Sequence, residues 1–96
     1  MTELMIVFSE ESIVTFQAIQ AQIVFRFGQN EAEKFERRVL KTLNQISKFP
    51  AGFELVDQSS EVRKGFIHKN CSVFYQVKNS QIEILFFWDN RQKPML

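Results

Sequence analysis

VRKGFIHKNCSVFYQVKNSQIEILFFWDNRQKP, residues Val62 to Pro94, decides the fold. It divides into three extended runs separated by two polar turns. Val62 to Ile67 is the first run, and His68-Lys69-Asn70 follows as a turn. In the second run, Cys71 to Val77, the residues Val73, Tyr75 and Val77 fall on one face and Ser72, Phe74 and Gln76 on the other. A period of two marks a strand, because successive side chains of an extended chain point to opposite sides. Lys78-Asn79-Ser80 is the second turn, and asparagine tolerates the left-handed region, so Asn79 is expected to take a positive φ. The third run, Ile82 to Trp88, is dense in β-branched and aromatic residues, which suit a pleated, packed surface. Simple alternation puts Ile82, Ile84, Phe86 and Trp88 on one face. Leu85 and Phe87 are apolar on the other, as in a strand covered on both sides. Asp89 to Pro94 is polar and closes the sheet, since proline has no amide to give to a ladder.

Working back toward the N-terminus, Leu4 to Phe8 (LMIVF) reads as a short buried strand. Ser9 follows, then Glu10 and Glu11. A serine hydroxyl can accept from the free amides of a first helical turn, and carboxylates suit the positive end of the helix dipole. Ile13, Phe16, Ile19, Ile23 and Phe27 then step by three and four along one stripe, and Gly28 is expected to close that helix as its C-cap. Asn30, with Glu33 three positions on, is expected to open a second helix through a variant of the capping box. Its apolar stripe is Ala32, Phe35, Val39, Leu43 and Ile46. Lys34, Arg37, Arg38 and Lys41 form the opposite face, which reads as solvated beside Glu33 and Glu36. Phe49-Pro50 ends it, because a residue before proline disfavours the helical region. So short a connection makes an antiparallel helical hairpin. Ala51 to Ser60 reads as a connecting loop. The order strand, helix, helix, strand, strand, strand predicts an α+β domain with the hairpin packed on one face of a four-stranded, mainly antiparallel sheet. Phe16, Ile23, Phe35, Val39, Leu43, Val73, Tyr75, Ile84 and Phe86 are the predicted core.

A chain of 96 residues makes one domain, taken as residues 1–96. The net charge of +1 makes no general case for nucleic-acid binding. The charge is unevenly spread: residues 1–60 carry 6 Lys/Arg and 8 Asp/Glu, residues 61–96 carry 6 and 3, so the sheet segment is the basic part. The chain has 11 Phe against one Trp and one Tyr, more than a small core needs, which points to some on a partner surface. The single cysteine, Cys71, allows no internal disulfide and fits a reducing compartment. The first residues lack a basic signal-peptide region, and no apolar run approaches the roughly 20 residues of a membrane span, so a cytoplasmic location is expected. No metal-spacing motif, glycine-rich phosphate loop or hydrolase elbow occurs, and no cofactor or metal is expected. His68, the only histidine, reads as a solvated turn residue, and Cys71 as packing. Arg63 and Lys64 are neighbours on a strand, so they point to opposite faces.

The order of these elements resembles the RelE/ParE superfamily of growth-inhibiting toxins from bacterial type II toxin–antitoxin modules. Three patterns carry the resemblance. AEKFERRVLKTLNQISKFP is similar to the family's second helix and its closing proline. VRKGFIHKNCSVFYQV is similar to its basic strand, turn and aromatic-Tyr-x-Val strand. IEILFFWDNRQKP is similar to its last strand with trailing arginine and proline. The resemblance implies a toxin neutralised by a cognate antitoxin. RelE-like members cut mRNA in the ribosomal A site, whereas ParE-like members inhibit DNA gyrase by binding it. RelE-like nucleases use basic residues on the sheet to stabilise the charge of the phosphodiester transition state. Arg63 matches one such position, and Arg91 falls near the arginine after the last strand. Gly65 stands where another lysine is expected and Ser72 where an arginine is expected. The segment from Arg91 to Leu96 lacks the tyrosine or histidine of ribosome-dependent nucleases. The departures favour ParE-like inhibition of a cellular target such as DNA gyrase. The alternatives are a RelE-like ribosome-dependent mRNA endonuclease with Arg63 and Arg91 as candidate catalytic residues, or a member that has lost toxicity. The expected target-binding residues are Arg63, Lys64, His68, Lys69, Arg91 and Lys93.

Overall fold

The computed structural model describes residues 4–91. Its elements are β1 (Met5–Phe8), α1 (Glu10–Phe27), α2 (Gln29–Lys48), a 3-10 turn at Pro50–Gly52, β2 (Glu54–Asp57), β3 (Val62–His68), β4 (Cys71–Lys78) and β5 (Gln81–Asp89). The strands form one sheet in the order β1-β5-β4-β3-β2. β1 runs parallel to β5 and every other pair is antiparallel. The α1–α2 hairpin lies on one face of this mixed sheet, so the α+β class holds.

The sheet has five strands where the sequence predicts four. The addition is β2, from the stretch read as a loop. It pairs Glu54 with Lys64 and Leu55 with Arg63 at the edge of the sheet. Of its four residues only Val56 is even half-buried, so it has no hydrophobic period to reveal it. The β4–β5 turn is as expected: Asn79 has φ 54° and Ser80 φ 60°. Two central residues with positive φ are what a two-residue type I′ hairpin requires, because that turn matches the twist of the flanking strands.

Ser9 caps α1, its Oγ accepting from the Ser12 amide at 3.0 Å. Gly28 serves both helices. At φ 93° its N–H donates to the Val24 carbonyl at 2.9 Å, and its own carbonyl accepts from the Ala32 amide at 3.3 Å. α2 therefore begins at Gln29 with Gly28 as its cap, and no side chain caps it. The expected Asn30–Glu33 box does not form, because glycine reaches the positive φ that lets the second helix start at once.

Ala32, Phe35, Val39, Leu43 and Ile46 of α2 are buried, as their spacing predicts. They meet Val73, Tyr75, Ile82, Ile84 and Phe87 of the sheet, with Phe16, Ile19 and Ile23 of α1 partly buried against them. Ile13 and Phe27, at the ends of the α1 stripe, stay 47% and 63% exposed. Each fully buried side chain of this kind contributes about 1.5–3 kcal/mol. The Tyr75 hydroxyl donates to the Pro50 carbonyl at 2.6 Å, which ties the end of α2 to the middle of the sheet.

Phe86 is not in this core. Tyr75 pairs with Ile84 but Phe74 pairs with Phe86, so Leu85 is an extra residue, a β-bulge. A bulge reverses the alternation beyond it. Ile82 and Ile84 face the helices, then Phe87 does, while Phe86 turns to the far face and stacks on Phe74 with ring centroids 4.7 Å apart. The backbone groups freed by the bulge are taken by α1. Ser9 Oγ donates to the Leu85 carbonyl at 2.8 Å, and the Phe87 amide donates to Thr15 Oγ1 at 2.9 Å.

Candidate functional site

The register separates the basic residues of β3. Arg63 pairs with Tyr75 and Lys64 with Phe74. Arg63 therefore points to the helix side, where its Nη1 donates to the Phe53 carbonyl at 2.7 Å and holds the segment that follows the 3-10 turn. Lys64 points to the opposite face, which no described element covers. There it stands beside the aromatic row of Phe74 and Phe86. Trp88 meets Phe86 edge to face at 6.4 Å, and Phe66 is 66% exposed. Ser72 also faces this side and donates to Asn90 Oδ1 at 3.1 Å. Gly65, two residues from Arg63, lies against α2: a Cβ there would come within 3.2 Å of Ile46 Cδ1.

At the other end of the sheet, His68 pairs with Cys71 and Cys71 with Asp89. Asn90 locks this end. Its amide N–H donates to the Asn70 carbonyl at 2.8 Å, and its side-chain amide reaches the Lys69 carbonyl at 3.4 Å. Arg91 lies just beyond, its Nη2 2.7 Å from Asp89 Oδ2 and its Nε 2.9 Å from Oδ1, a two-point clasp. That clasp holds the Asp89 carboxyl below its usual range and raises Arg91. Arg63 and the Asp89 that clasps Arg91 are thus at opposite ends of the sheet, four paired positions or about 13 Å apart along the strands at ~3.3 Å per residue. Lys93 lies outside the described residues.

His68, Arg91 and Asp89 line a cleft of about 250 Å³ whose other walls are the end of α1 and the face of α2. Its floor is apolar, from Ile19, Ile23, Phe35 and Cys71. Its rim carries Arg26, Lys34 and Arg38 as well as Arg91. Lys34 is paired to Glu31 at 3.1 Å. Partial burial, then the nearby charges of Arg38 and Lys69, lower the His68 pKa, so the ring is neutral at pH 7. Its Nδ1 accepts from the Asn70 amide at 3.3 Å, leaving the proton on Nε2. Burial first, and then the Asp89 charge, pushes the Cys71 thiol up to about 12, so it stays protonated. Among the described residues no three His, Cys, Asp or Glu side chains converge.

The cleft joins residues the sequence left apart. Arg38 and Lys34 read as members of a solvated helix face, and Arg26 carried no signal beyond standing in the last turn of α1. Only the angle at which the hairpin crosses the sheet end brings them over His68 and Arg91.

Residues 6–94 match the family described as ParE toxin of type II toxin–antitoxin system, parDE. No curated protein sequence matches the chain. Among solved structures the fold is similar to the chromosomal ParDE toxin–antitoxin system from P. aeruginosa, with a TM-score of 0.78 at 17% identity, covering 91% of this chain and 96% of that one. It is also similar to a toxin from Helicobacter pylori solved as a copper-bound mutant, with a TM-score of 0.57 at 16% identity, covering 92% and 96%.

Proposed function

The chain belongs to the ParE toxin family of type II toxin–antitoxin systems, and from that premise we propose that it acts by binding a protein target, DNA gyrase, and not by cutting RNA. As the toxin component of such a module it has an antitoxin as its partner. The observation that carries the reading is the state of Arg63. A nuclease needs cations preorganised around one developing phosphorane charge. Here the Arg63 guanidinium is spent on the Phe53 carbonyl on the helix side. Arg91 is clasped by Asp89 at the far end of the sheet. The open face carries Lys64 amid Phe66, Phe74, Phe86 and Trp88. Aromatic side chains are enriched at the energetic centres of protein interfaces. In this reading Lys64 contacts the target from the open face and His68, Lys69 and Arg91 from the end of the sheet, and Lys93 is a further proposed contact. Arg63 acts by holding the fold.

Induced expression with two readouts tests this. The expected outcome is intact mRNA by primer extension together with lost gyrase supercoiling activity. Arg63→Ala should lower stability and leave mRNA untouched. Cuts at the ribosomal A site that vanish on Arg63→Ala would overturn the proposal.

A further inference from the structure

We propose that the free edge of β1 is a dimer interface, on which a second copy of this chain pairs antiparallel across a two-fold axis at Val7. This goes beyond the functional reading above and does not depend on which target the chain binds. The sheet has two edges, β1 and β2. β2 is guarded: Glu54 and Asp57 put charges on it, and an irregularity between Leu55 and Asp57 breaks its ladder. β1 carries no such device. Its four residues, MIVF, include no charge and no proline, and Met5, Val7 and Phe8 are exposed. A regular, uncharged, apolar edge is a template for another strand.

The Ser9 amide donates to the Ile84 carbonyl of β5 at 3.1 Å. Backbone groups alternate from side to side along a strand, so Met5 and Val7 also face β5, while Ile6 and Phe8 turn their N–H and C=O outward. With the axis at Val7, Ile6 of one copy lies opposite Phe8 of the other, and each such pair exchanges two hydrogen bonds. The flanking charges fit the same axis. At the start of β1 the Leu4 amide donates to the Ser47 carbonyl at 3.4 Å, which sets the exposed Lys48 beside that end of the strand. At the other end α1 begins with the exposed Glu10 and Glu11. None of the three has an ion-pair partner among the described residues. Antiparallel pairing brings Lys48 of each copy toward Glu10 and Glu11 of the other, so the contact is self-complementary, as a two-fold interface must be. Phe8, Ile13 and Leu40 border one cavity of about 380 Å³ on the helix side and supply hydrocarbon around the joined strands. An unrelated strand satisfies the ladder, whereas a second copy satisfies the ladder and both charge clusters at once. Lys64, on β3, stays uncovered three strands from the axis.

Analytical ultracentrifugation of the full chain, free of antitoxin, tests this. A monomer–dimer equilibrium with a Kd of about 10 µM is expected, since a short edge contact falls at the small end of interfaces. Val7→Lys sets two lysines directly opposite each other across the axis and should weaken the dimer about tenfold or more, whereas Val7→Thr should stay within about threefold. Lys48→Glu alone and Glu10→Lys/Glu11→Lys alone each make both charge clusters repulsive, and each should weaken the dimer about tenfold. Mixing these two variants sets opposite charges against each other at both clusters, so the mixed dimer should return to within about threefold of the parent. Thermal melts show which variants fold, and if Val7→Lys fails to fold, the mixing experiment decides. A chain that stays monomeric at about 200 µM, well above the expected Kd, overturns the proposal. So does a dimer indifferent to Val7→Lys, or a mixture that associates no better than its parts. A monomer whose antitoxin affinity falls with Val7→Lys would give the edge to an antitoxin strand and overturn it as well.

Discussion

Gly65→Ala measures how closely α2 rides on β3. A Cβ at Gly65 would lie 3.1 Å from Val73 Cγ1, 3.2 Å from Ile46 Cδ1 and 3.4 Å from Thr42 Cγ2. The first two are tighter than ordinary van der Waals contact, and both neighbours are fully buried with little room to retreat. Overpacking of this kind costs about 1–3 kcal/mol. Gly65 is not a positive-φ glycine, so alanine also gains about 0.4–1 kcal/mol by restricting the unfolded chain. The net expectation is a loss of about 1–2 kcal/mol, seen in urea denaturation as a lower midpoint at unchanged slope. A thermal melt should fall by about 4–8 °C for each kcal/mol. Ile46→Val removes the Cδ1 atom that the new methyl meets. On its own it should cost about 0.5–1.5 kcal/mol. Combined with Gly65→Ala, the total should fall short of the sum by about 0.5 kcal/mol or more, because the two changes share one contact. Gly65→Ala at or above parental stability, or strict additivity in the cycle, would refute the reasoning. The same tightness explains why a lysine at this position would have to displace α2.

Thr15→Val leaves the Phe87 amide without its acceptor and should destabilise by about 1–3 kcal/mol. Hydrogen exchange at Phe87 should quicken more than at Val73, and equal protection at the two would count against the Thr15 contact. Alkaline pH should unfold the protein through Cys71 and Tyr75. Burial pushes the Cys71 thiol from its ordinary 9.0 to about 12, and burial likewise pushes Tyr75 from 10.0 to about 12, with Arg63 opposing. Both groups are neutral when protonated, and the unfolded chain gives up the protons first. Stability is therefore flat below pH 9 and falls between pH 9 and about 12, by about 1.4 kcal/mol for each pH unit of separation. Tyr75→Phe should flatten the part above pH 10 while losing the bond to Pro50, about 0.5–1.5 kcal/mol. An identical alkaline limb in that variant would show that Tyr75 does not titrate on unfolding.

What the sequence determined by itself is whatever depends on near neighbours along the chain. The Ser9 cap, the apolar stripe of α2, the alternation of β4 and the left-handed turn at Asn79 each follow from residues within a few positions of one another, and each is present as read. The family resemblance was legible for the same reason, since it rests on these local patterns in order. Tertiary structure decided the rest. β2 is a strand only because β3 offers it a ladder. Phe86 left the core because a bulge at Leu85 reversed the alternation. The groups that hold that bulge, Ser9 and Thr15, lie more than 70 positions away in the chain. Arg63 read as a candidate for catalysis because its type and place matched, but its direction came from the pleat and its partner from Phe53. The cleft was invisible for a related reason. Arg26, Arg38, His68 and Arg91 sit on four separate stretches, and only the packing of the helical hairpin over the end of the sheet makes them neighbours.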